Sequence, residues 1–229
     1  MTKLDDDILE VGAFLNDLRY SKSSFQKEQN TTTLKATYKQ FHSLLVWNLI
    51  SESQQNSTLS PKIFFRETLS DISHSLLLTL LHIYKPARAC LRSGIENHLR
   101  SLLLIKKHDA SKINNVYDLF KSARKEFQKD STVKKNIDRL SDYYDELCKT
   151  VHSAKIDYMA LTVPFETIPT FNTHRFGANL SMIKSVCSLS NQSIFWLWHN
   201  QLSKVGPANS DLVRDSIPKN IKRAAIAAE

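Results

Sequence analysis

Four charged side chains recur at every fourth position of an otherwise apolar segment, namely Arg88, Arg92, Glu96 and Arg100. Because residues four apart lie on the same side of an α-helix, this spacing predicts a polar stripe along one helix face. Leucine, isoleucine and alanine occupy many neighbouring positions, so the stripe must border a hydrophobic core. Charged groups beside a core are costly unless they are paired with each other or used for function.

A second polar pair lies in segment 140–153, where Tyr144 and His152 flank the apolar positions of another predicted helix. We interpret His152, Arg92, Glu96 and Tyr144 as one candidate catalytic site between the two helices. A histidine can act as general acid or base near neutral pH, and an arginine can stabilise negative charge that develops on a phosphate group. The alternative interpretation is a structural ion-pair network without catalysis.

A competing pair lies within the first of these helices, where Arg92 is followed six positions later by His98. Side chains six positions apart on a helix point about 120° away from each other, which is unfavourable for joint catalysis. The alternative for this pair is that Arg92 bonds to Glu96 and that His98 is exposed to solvent.

The chain is basic, with a formal net charge of +8 and a pI near 9.3. Much of the excess falls in residues 85–112 and 121–135, and such an excess favours a polyanionic partner. We therefore expect RNA or another nucleic acid to contact this region. The candidate contacts are Arg88, Arg100, Lys106 and Lys107. The alternative is that these charge runs are solvated helix faces.

The sequence lacks the usual motifs of metal and cofactor sites. The sequence has no HExxH or CxxC spacing and no glycine-rich phosphate loop, so we expect neither a metal nor a cofactor. Its three cysteines predict free thiols in a reducing, cytoplasmic compartment. The acidic N-terminus does not have the pattern of a secretory signal, and the apolar run 76–83 is far shorter than the roughly 20 residues that span a bilayer.

The periodicity of apolar residues, with only four glycines, predicts an all-α protein of about seven helices. The predicted ranges are 5–19, 34–51, 63–84, 86–107, 112–128, 133–153 and 179–204. Asp109 or Ser111 is expected to cap the fifth helix, and a long ordered loop, 154–177, precedes the last one. We predict a single bundle domain, 1–205, and a C-terminal tail, 206–229, that is either a short docked helix or disordered.

Residues 89–96 (ACLRSGIE) and 144–152 (YDELCKTVH) resemble a broad group of bacterial HEPN-like helical proteins. The resemblance implies a HEPN-like bundle in which His152 takes the position of the family's histidine. The positions before it where the family's ribonucleases carry arginine read Asp145, Glu146 and Leu147, so Arg92 would have to supply the guanidinium. The resemblance also implies a homodimer, and an antitoxin or a defence subunit as a protein partner.

Two functions follow from these observations. The first is a HEPN-like protein of a bacterial toxin or antiphage-defence system that binds RNA or acts on it, as a metal-independent endoribonuclease if it is an enzyme. The second is a non-catalytic helical module that binds a protein partner and in which the Arg/Glu/Tyr/His cluster is structural. The missing arginine leaves the choice between enzyme and binding protein open.

Overall fold

A computed structural model describes residues 6, 8, 9, 28–53, 61–152 and 172–227 of the chain. These residues form helices and their connections, without a β-strand, which confirms the all-α fold class. The α-helices are α1 (Glu28–Glu52), α2 (Pro61–Leu80), α3 (Tyr84–Ile105), α4 (Val116–Glu126), α5 (Ser131–His152), α6 (Thr173–Trp198), α7 (Pro207–Ser216) and α8 (Lys219–Ala227). A 3-10 helix, His199–Lys204, joins α6 to α7.

Helix α3 is the centre of the bundle, since α2, α4, α5 and α6 all pack against it. The most extensive of these contacts is with α2, and the short turn 81–83 connects the two helices. Gly94 permits their close approach, because a Cβ at this position would lie 3.3 Å from Ile72 Cγ1 and 3.4 Å from Asp71 Cβ. Asn97 Nδ2 donates to Asp71 Oδ2 over 2.9 Å and links the same two helices.

Two positions after the last residue of α2 and of α3, the chain has a residue with left-handed backbone, and φ is 62° for both His82 and Lys107. At the end of α3, the Lys107 N–H donates to Leu104 O and the His108 N–H to Leu103 O, which is the hydrogen-bond pattern of a Schellman cap. The left-handed backbone of His82 terminates α2 in the same way, so that Leu80 is the last residue of the helix. The prediction that this helix continues to residue 84 was therefore wrong, and Tyr84 begins α3 instead.

Helix α4 begins later than predicted. Asn115 is its N-cap, and its side-chain Oδ1 accepts the Tyr117 N–H over 2.8 Å. Asp109 instead accepts hydrogen bonds from the backbone N–H and the hydroxyl of Ser111, within the turn that precedes the helix. The expectation that Asp109 or Ser111 caps the helix was wrong, because this local turn uses both side chains first.

The last predicted helix, 179–204, is in fact α6 followed by the 3-10 helix. Asn172 caps α6, so the helix begins six residues earlier than predicted. The segment predicted as a tail forms α7 and α8, which pack against α1 and α6. Ser216 anchors α7, since its hydroxyl lies 2.9 Å from that of Ser43 and its carbonyl accepts from Gln40 Nε2 over 3.0 Å.

Two predicted elements lie largely outside the described residues. Of the first predicted helix, 5–19, only positions 6, 8 and 9 are described, and these are helical. Of the predicted loop 154–177, residues 154–171 lie outside the description and residues 173–177 belong to α6. Among the helices that are described, none is long and apolar enough to cross a membrane.

Candidate functional site

The predicted stripe on α3 meets Tyr144 of α5 in a chain of hydrogen bonds. Arg92 Nε donates to the Tyr144 hydroxyl over 2.8 Å, and that hydroxyl donates to Glu96 Oε1 over 2.9 Å. Glu96 also lies 3.7 Å from Arg92 and 3.8 Å from Arg100, measured between carboxylate oxygen and guanidinium nitrogen. We call Arg92, Glu96, Arg100 and Tyr144 the arginine–tyrosine network. Three of the four predicted catalytic residues therefore do contact one another.

The network sits at the edge of the core. The exposed fractions of its charged side chains are 27% for Arg92, 20% for Glu96 and 15% for Arg100. Tyr144 is buried, and its ring packs edge-on against Phe120 with 5.6 Å between ring centroids. The Arg92 guanidinium lies over the Tyr144 ring, 5.0 Å from its centroid. Helices α3, α4 and α5 are thus joined at one point.

The electrostatics of the network keep Tyr144 a neutral donor. Burial raises the pKa of the Tyr144 phenol, and the hydrogen bond to Glu96 adds to this, although the Arg92 guanidinium opposes it. For Arg92, burial lowers the pKa, but the bond to Tyr144 and the charge of Glu96 outweigh burial and raise it overall. Tyr144 and Arg92 therefore both stay protonated near neutral pH. This arrangement holds helices together and offers no proton near neutral pH.

Arg88, the first residue of the stripe, has different partners. Its Nε donates to Asn179 Oδ1 of α6 over 2.8 Å, and its Nη1 donates to Thr150 Oγ1 of α5 over 2.7 Å. Thr150 lies in the last turn of α5, which ends at His152. The side chain of His152 lies outside the described residues, so its predicted role as acid or base stays a prediction. Through Thr150, Arg88 bonds to the α5 turn that contains His152.

The predicted nucleic-acid contacts fall into two pairs. Arg88 and Arg100 are half-buried, and Arg100 donates to the Ile113 carbonyl over 3.3 Å. Lys106 and Lys107 are exposed, beyond the end of α3. Lys106 forms an ion pair with Asp130 over 3.2 Å, whereas Lys107 is the left-handed stop residue of the helix.

His98 is fully buried, so the expectation that it is exposed was wrong. Neither of its ring nitrogens has a hydrogen-bond partner in the part of the chain that the structure describes. Burial lowers the pKa of His98 to about 3, and the imidazole is therefore neutral. Arg92 forms an ion pair with Glu96, as the alternative interpretation of the Arg92/His98 pair proposed, and it does not bond to His98.

Sequence reasoning missed the α6 residues at this site. Arg175 and Asn179 are one turn apart on α6, and Asn179 holds Arg88. The spacing of four was visible in the sequence, but the predicted helix began only at residue 179. The described residues contain no group of three or more His, Cys, Asp or Glu side chains that could hold a metal ion.

The fold and the network define an all-α bundle with a polar inter-helix site. Comparison of the chain with protein-family models, with curated proteins and with solved structures finds no match. The resemblance to HEPN-like proteins therefore rests on residues 89–96 and 144–152 alone.

Proposed function

We propose that this protein is an RNA-binding, HEPN-like helical protein of a bacterial toxin or antiphage-defence system. The observation that carries RNA binding is a surface of exposed lysines at the end of α3 and the adjoining ends of α4 and α5. We call this surface the basic end. Its members are Lys107, Lys125, Lys129 and Lys135.

The ion pair between Lys106 and Asp130 brings these lysines close together, because it joins the end of α3 to the start of α5. Lys107 follows Lys106 directly, and Lys129 directly precedes Asp130. Lys135 is in the second turn of α5, and Lys125 is in the last turn of α4. All four therefore lie within about two helical turns of one point.

Two acidic residues nearby, Asp138 and Asp130, are already paired with other basic side chains. Asp138 accepts hydrogen bonds from Arg124 over 2.8 Å and from Lys134 over 3.1 Å. Asp130 is held by Lys106 and also accepts from Trp196 Nε1 over 3.4 Å. Within the described part of the chain, the lysines of the basic end have no carboxylate partner. Such unpaired, exposed cations match a phosphate backbone.

Binding to RNA should be measured as the dissociation constant of a labelled single-stranded oligonucleotide across a range of salt concentrations. The test variant carries Lys107→Asn, Lys129→Gln and Lys135→Gln, where asparagine is chosen because it tolerates the left-handed backbone at position 107. Each phosphate contact on a single strand contributes about −0.7 to the slope of log affinity against log salt. We therefore expect the slope to become shallower by about 2 if all three lysines contact phosphates.

The matched control carries Lys204→Gln, Lys219→Gln and Arg223→Gln, which removes the same charge from exposed positions on the 3-10 helix and α8. It should keep the wild-type slope. Equal losses in both triple variants would mean that only net charge matters and would remove the basic end from the proposal. An absence of RNA binding by the wild-type protein would refute RNA binding itself.

The closed arginine–tyrosine network favours a second candidate, a non-catalytic module in which this cluster is structural. The two are separated by incubating total RNA and tRNA with the protein in EDTA, with His152→Ala and Arg92→Ala alongside. RNA cleavage that both variants lose while remaining folded by circular dichroism would support a metal-independent nuclease. RNA that stays intact while it binds would support a binding module, and capture of a protein partner without RNA binding would support the second candidate.

A further inference from the structure

The exposed side of α4 presents an aromatic ring to solvent. Tyr117 has an exposed fraction of 87%, the highest among the exposed large hydrophobic side chains that the structure describes, and the next highest is 63%, for Ile226. An aromatic ring contributes a large apolar area when it leaves water. A ring as exposed as that of Tyr117 is therefore available for contact with another molecule.

The backbone that carries this ring is fixed. The Tyr117 N–H donates to the side chain of Asn115, the N-cap of α4, over 2.8 Å. On the opposite side of α4, Leu119 and Phe120 are buried. The Phe120 ring packs edge-on against Tyr144 of α5, with 5.6 Å between ring centroids. A helix that is anchored to the core thus holds Tyr117 at the surface.

Two lysines continue the same side of α4. Lys121 and Lys125 follow Tyr117 at intervals of four residues, which places all three along one side of the helix. Both lysines are exposed, and neither forms an ion pair with a carboxylate among the described residues. Asp118, the acidic residue of the first turn, lies about 100° around the helix from Tyr117 and suits the helix dipole there. Lys125 belongs to the basic end, so this side of α4 leads from the ring into the basic end over about 12 Å.

An aromatic ring followed by exposed cations is an arrangement that suits single-stranded nucleic acid. The flat face of a base stacks on an aromatic side chain, while cations beside the ring contact the phosphates of the strand. In a duplex the bases are stacked on each other, so a side chain has no access to their faces. A duplex could therefore contact the lysines on this side of α4 but could not use the ring.

We propose that Tyr117, Lys121 and Lys125 form a binding surface for single-stranded RNA, in which a base stacks on the Tyr117 ring and the two lysines contact phosphates. A bound strand follows α4 from the ring to the basic end. This surface rests on the proposed function, RNA binding, and narrows the ligand to single strands.

Stacking is tested by measuring the dissociation constants of a labelled single-stranded RNA and of an RNA duplex of the same sequence for four proteins. They are the wild type, Tyr117→Ala, Tyr117→Phe and the control Ile63→Ala, which shortens an aliphatic side chain that is 60% exposed on α2. Loss of one base–aromatic stack in Tyr117→Ala should weaken binding of the single strand about 5- to 100-fold. Tyr117→Phe keeps the ring and should bind as the wild type does, and so should Ile63→Ala. Affinity for the duplex should be the same for all four proteins.

The two lysines are tested by the dependence of affinity on salt. A variant with Lys121→Gln and Lys125→Gln should have a slope of log affinity against log salt that is shallower by about 1.4, because each phosphate contact on a single strand contributes about 0.7. Tyr117→Ala should keep the wild-type slope, since stacking releases no counterions. The matched control, Lys219→Gln with Arg223→Gln on α8, should also keep it. An unchanged slope for the α4 double variant would overturn the phosphate contacts.

The stacking site is overturned if Tyr117→Ala binds the single strand as tightly as Ile63→Ala does, or if Tyr117→Phe loses as much affinity as Tyr117→Ala. An equal loss of affinity for the single strand and for the duplex would also overturn it.

A second copy of the chain is the alternative occupant of this surface, and sedimentation velocity without RNA identifies it. A wild-type dimer that Tyr117→Ala dissociates, with RNA affinity unchanged, would assign the surface to that second copy and overturn the proposal. If the wild type binds neither form of RNA, the proposed function fails together with this surface. RNA binding that does not depend on Tyr117 removes this surface alone, so the two failures are distinguishable.

Discussion

Two faces of helix α3 hold polar side chains in opposite ways. On one face, Arg92 and Glu96 share the Tyr144 hydroxyl, so charged groups at the edge of the core are hydrogen-bonded and balanced. On another face, His98 is fully buried, and neither ring nitrogen has a hydrogen-bond partner among the described residues. Helix α3 thus contains polar groups that stabilise contacts between helices, and one polar group, His98, whose burial is unfavourable.

This difference shows that the free-energy cost of burying a polar side chain depends more on its hydrogen-bond partners than on its polarity. An unsatisfied buried polar group loses its water and gains nothing in return, at about 1–3 kcal/mol. A charged group that keeps a partner and some solvent contact avoids most of this loss. Three substitutions, two on α3 and one on α5, test this difference.

His98 should make the protein sensitive to acid. Its pKa is about 3 in the folded chain and near 6.5 in the unfolded one, so between these values the unfolded state binds more protons. The free energy of unfolding should therefore fall as pH falls below 6.5, by about 1.4 kcal/mol per pH unit from this residue alone. Urea unfolding of wild type and His98→Leu between pH 7 and pH 4 measures this contribution.

The variant His98→Leu should show a shallower dependence of stability on pH, because leucine takes up no proton. The control is His174→Gln at an exposed histidine, which should follow the wild-type curve. If His98→Leu loses stability with acid as steeply as the wild type does, the imidazole is not the group that protonates on unfolding.

Tyr144→Phe would remove the shared hydrogen-bond partner of two side chains in the arginine–tyrosine network. The ring contact with Phe120 can remain, but Arg92 Nε and the Glu96 carboxylate lose their shared partner. We expect a loss of about 1–3 kcal/mol in the free energy of unfolding, measured by urea denaturation at pH 7. Tyr143→Phe is the matched control on a half-buried neighbour and should change stability by about 0.5 kcal/mol or less. Equal effects of both variants would mean that the hydroxyl of Tyr144 is dispensable.

Glu96→Gln should have the smallest effect of the three. Glutamine can still accept the Tyr144 hydrogen bond, while the ion pairs at 3.7 Å and 3.8 Å lose their negative partner. Partly exposed ion pairs contribute about 0.2–1 kcal/mol each, so the loss should stay near 1 kcal/mol in the same urea assay. Glu67→Gln, at an exposed position on α2, is the control. A loss larger than that of Tyr144→Phe would show that charge balance, not the phenol, holds the network together.

Helices with a strong apolar period could be predicted closely. Helix α5 was predicted as 133–153 and runs from Ser131 to His152, and α3 was predicted as 86–107 and runs from Tyr84 to Ile105. Starts and stops were less predictable where they depend on local hydrogen bonds. A left-handed histidine ends α2, and the Asn172 side chain starts α6, although neither feature changes the apolar pattern.

The candidate site was predictable in part for the same reason. The stripe and the Tyr144 face follow from spacing, so the contacts of Arg92, Glu96 and Tyr144 could be expected. Asn179 could not be predicted as the partner of Arg88, because the two residues are 91 positions apart and meet only when α6 packs on α3. The burial of His98 was missed because the face it occupies is covered by other helices, which periodicity along one helix does not reveal.

Residue types and their spacing were enough to indicate an all-α chain, a polar stripe along one helix and an excess of positive charge. These properties depend on residue types and on spacing along one helix, which are local. Which charges are neutralised depends instead on how the helices pack together. Packing paired Glu96 with Arg92 and Arg100 and, within the described part of the chain, left His98 without a hydrogen-bond partner. Charge interactions fall with distance in space, and distances between helices are set by packing.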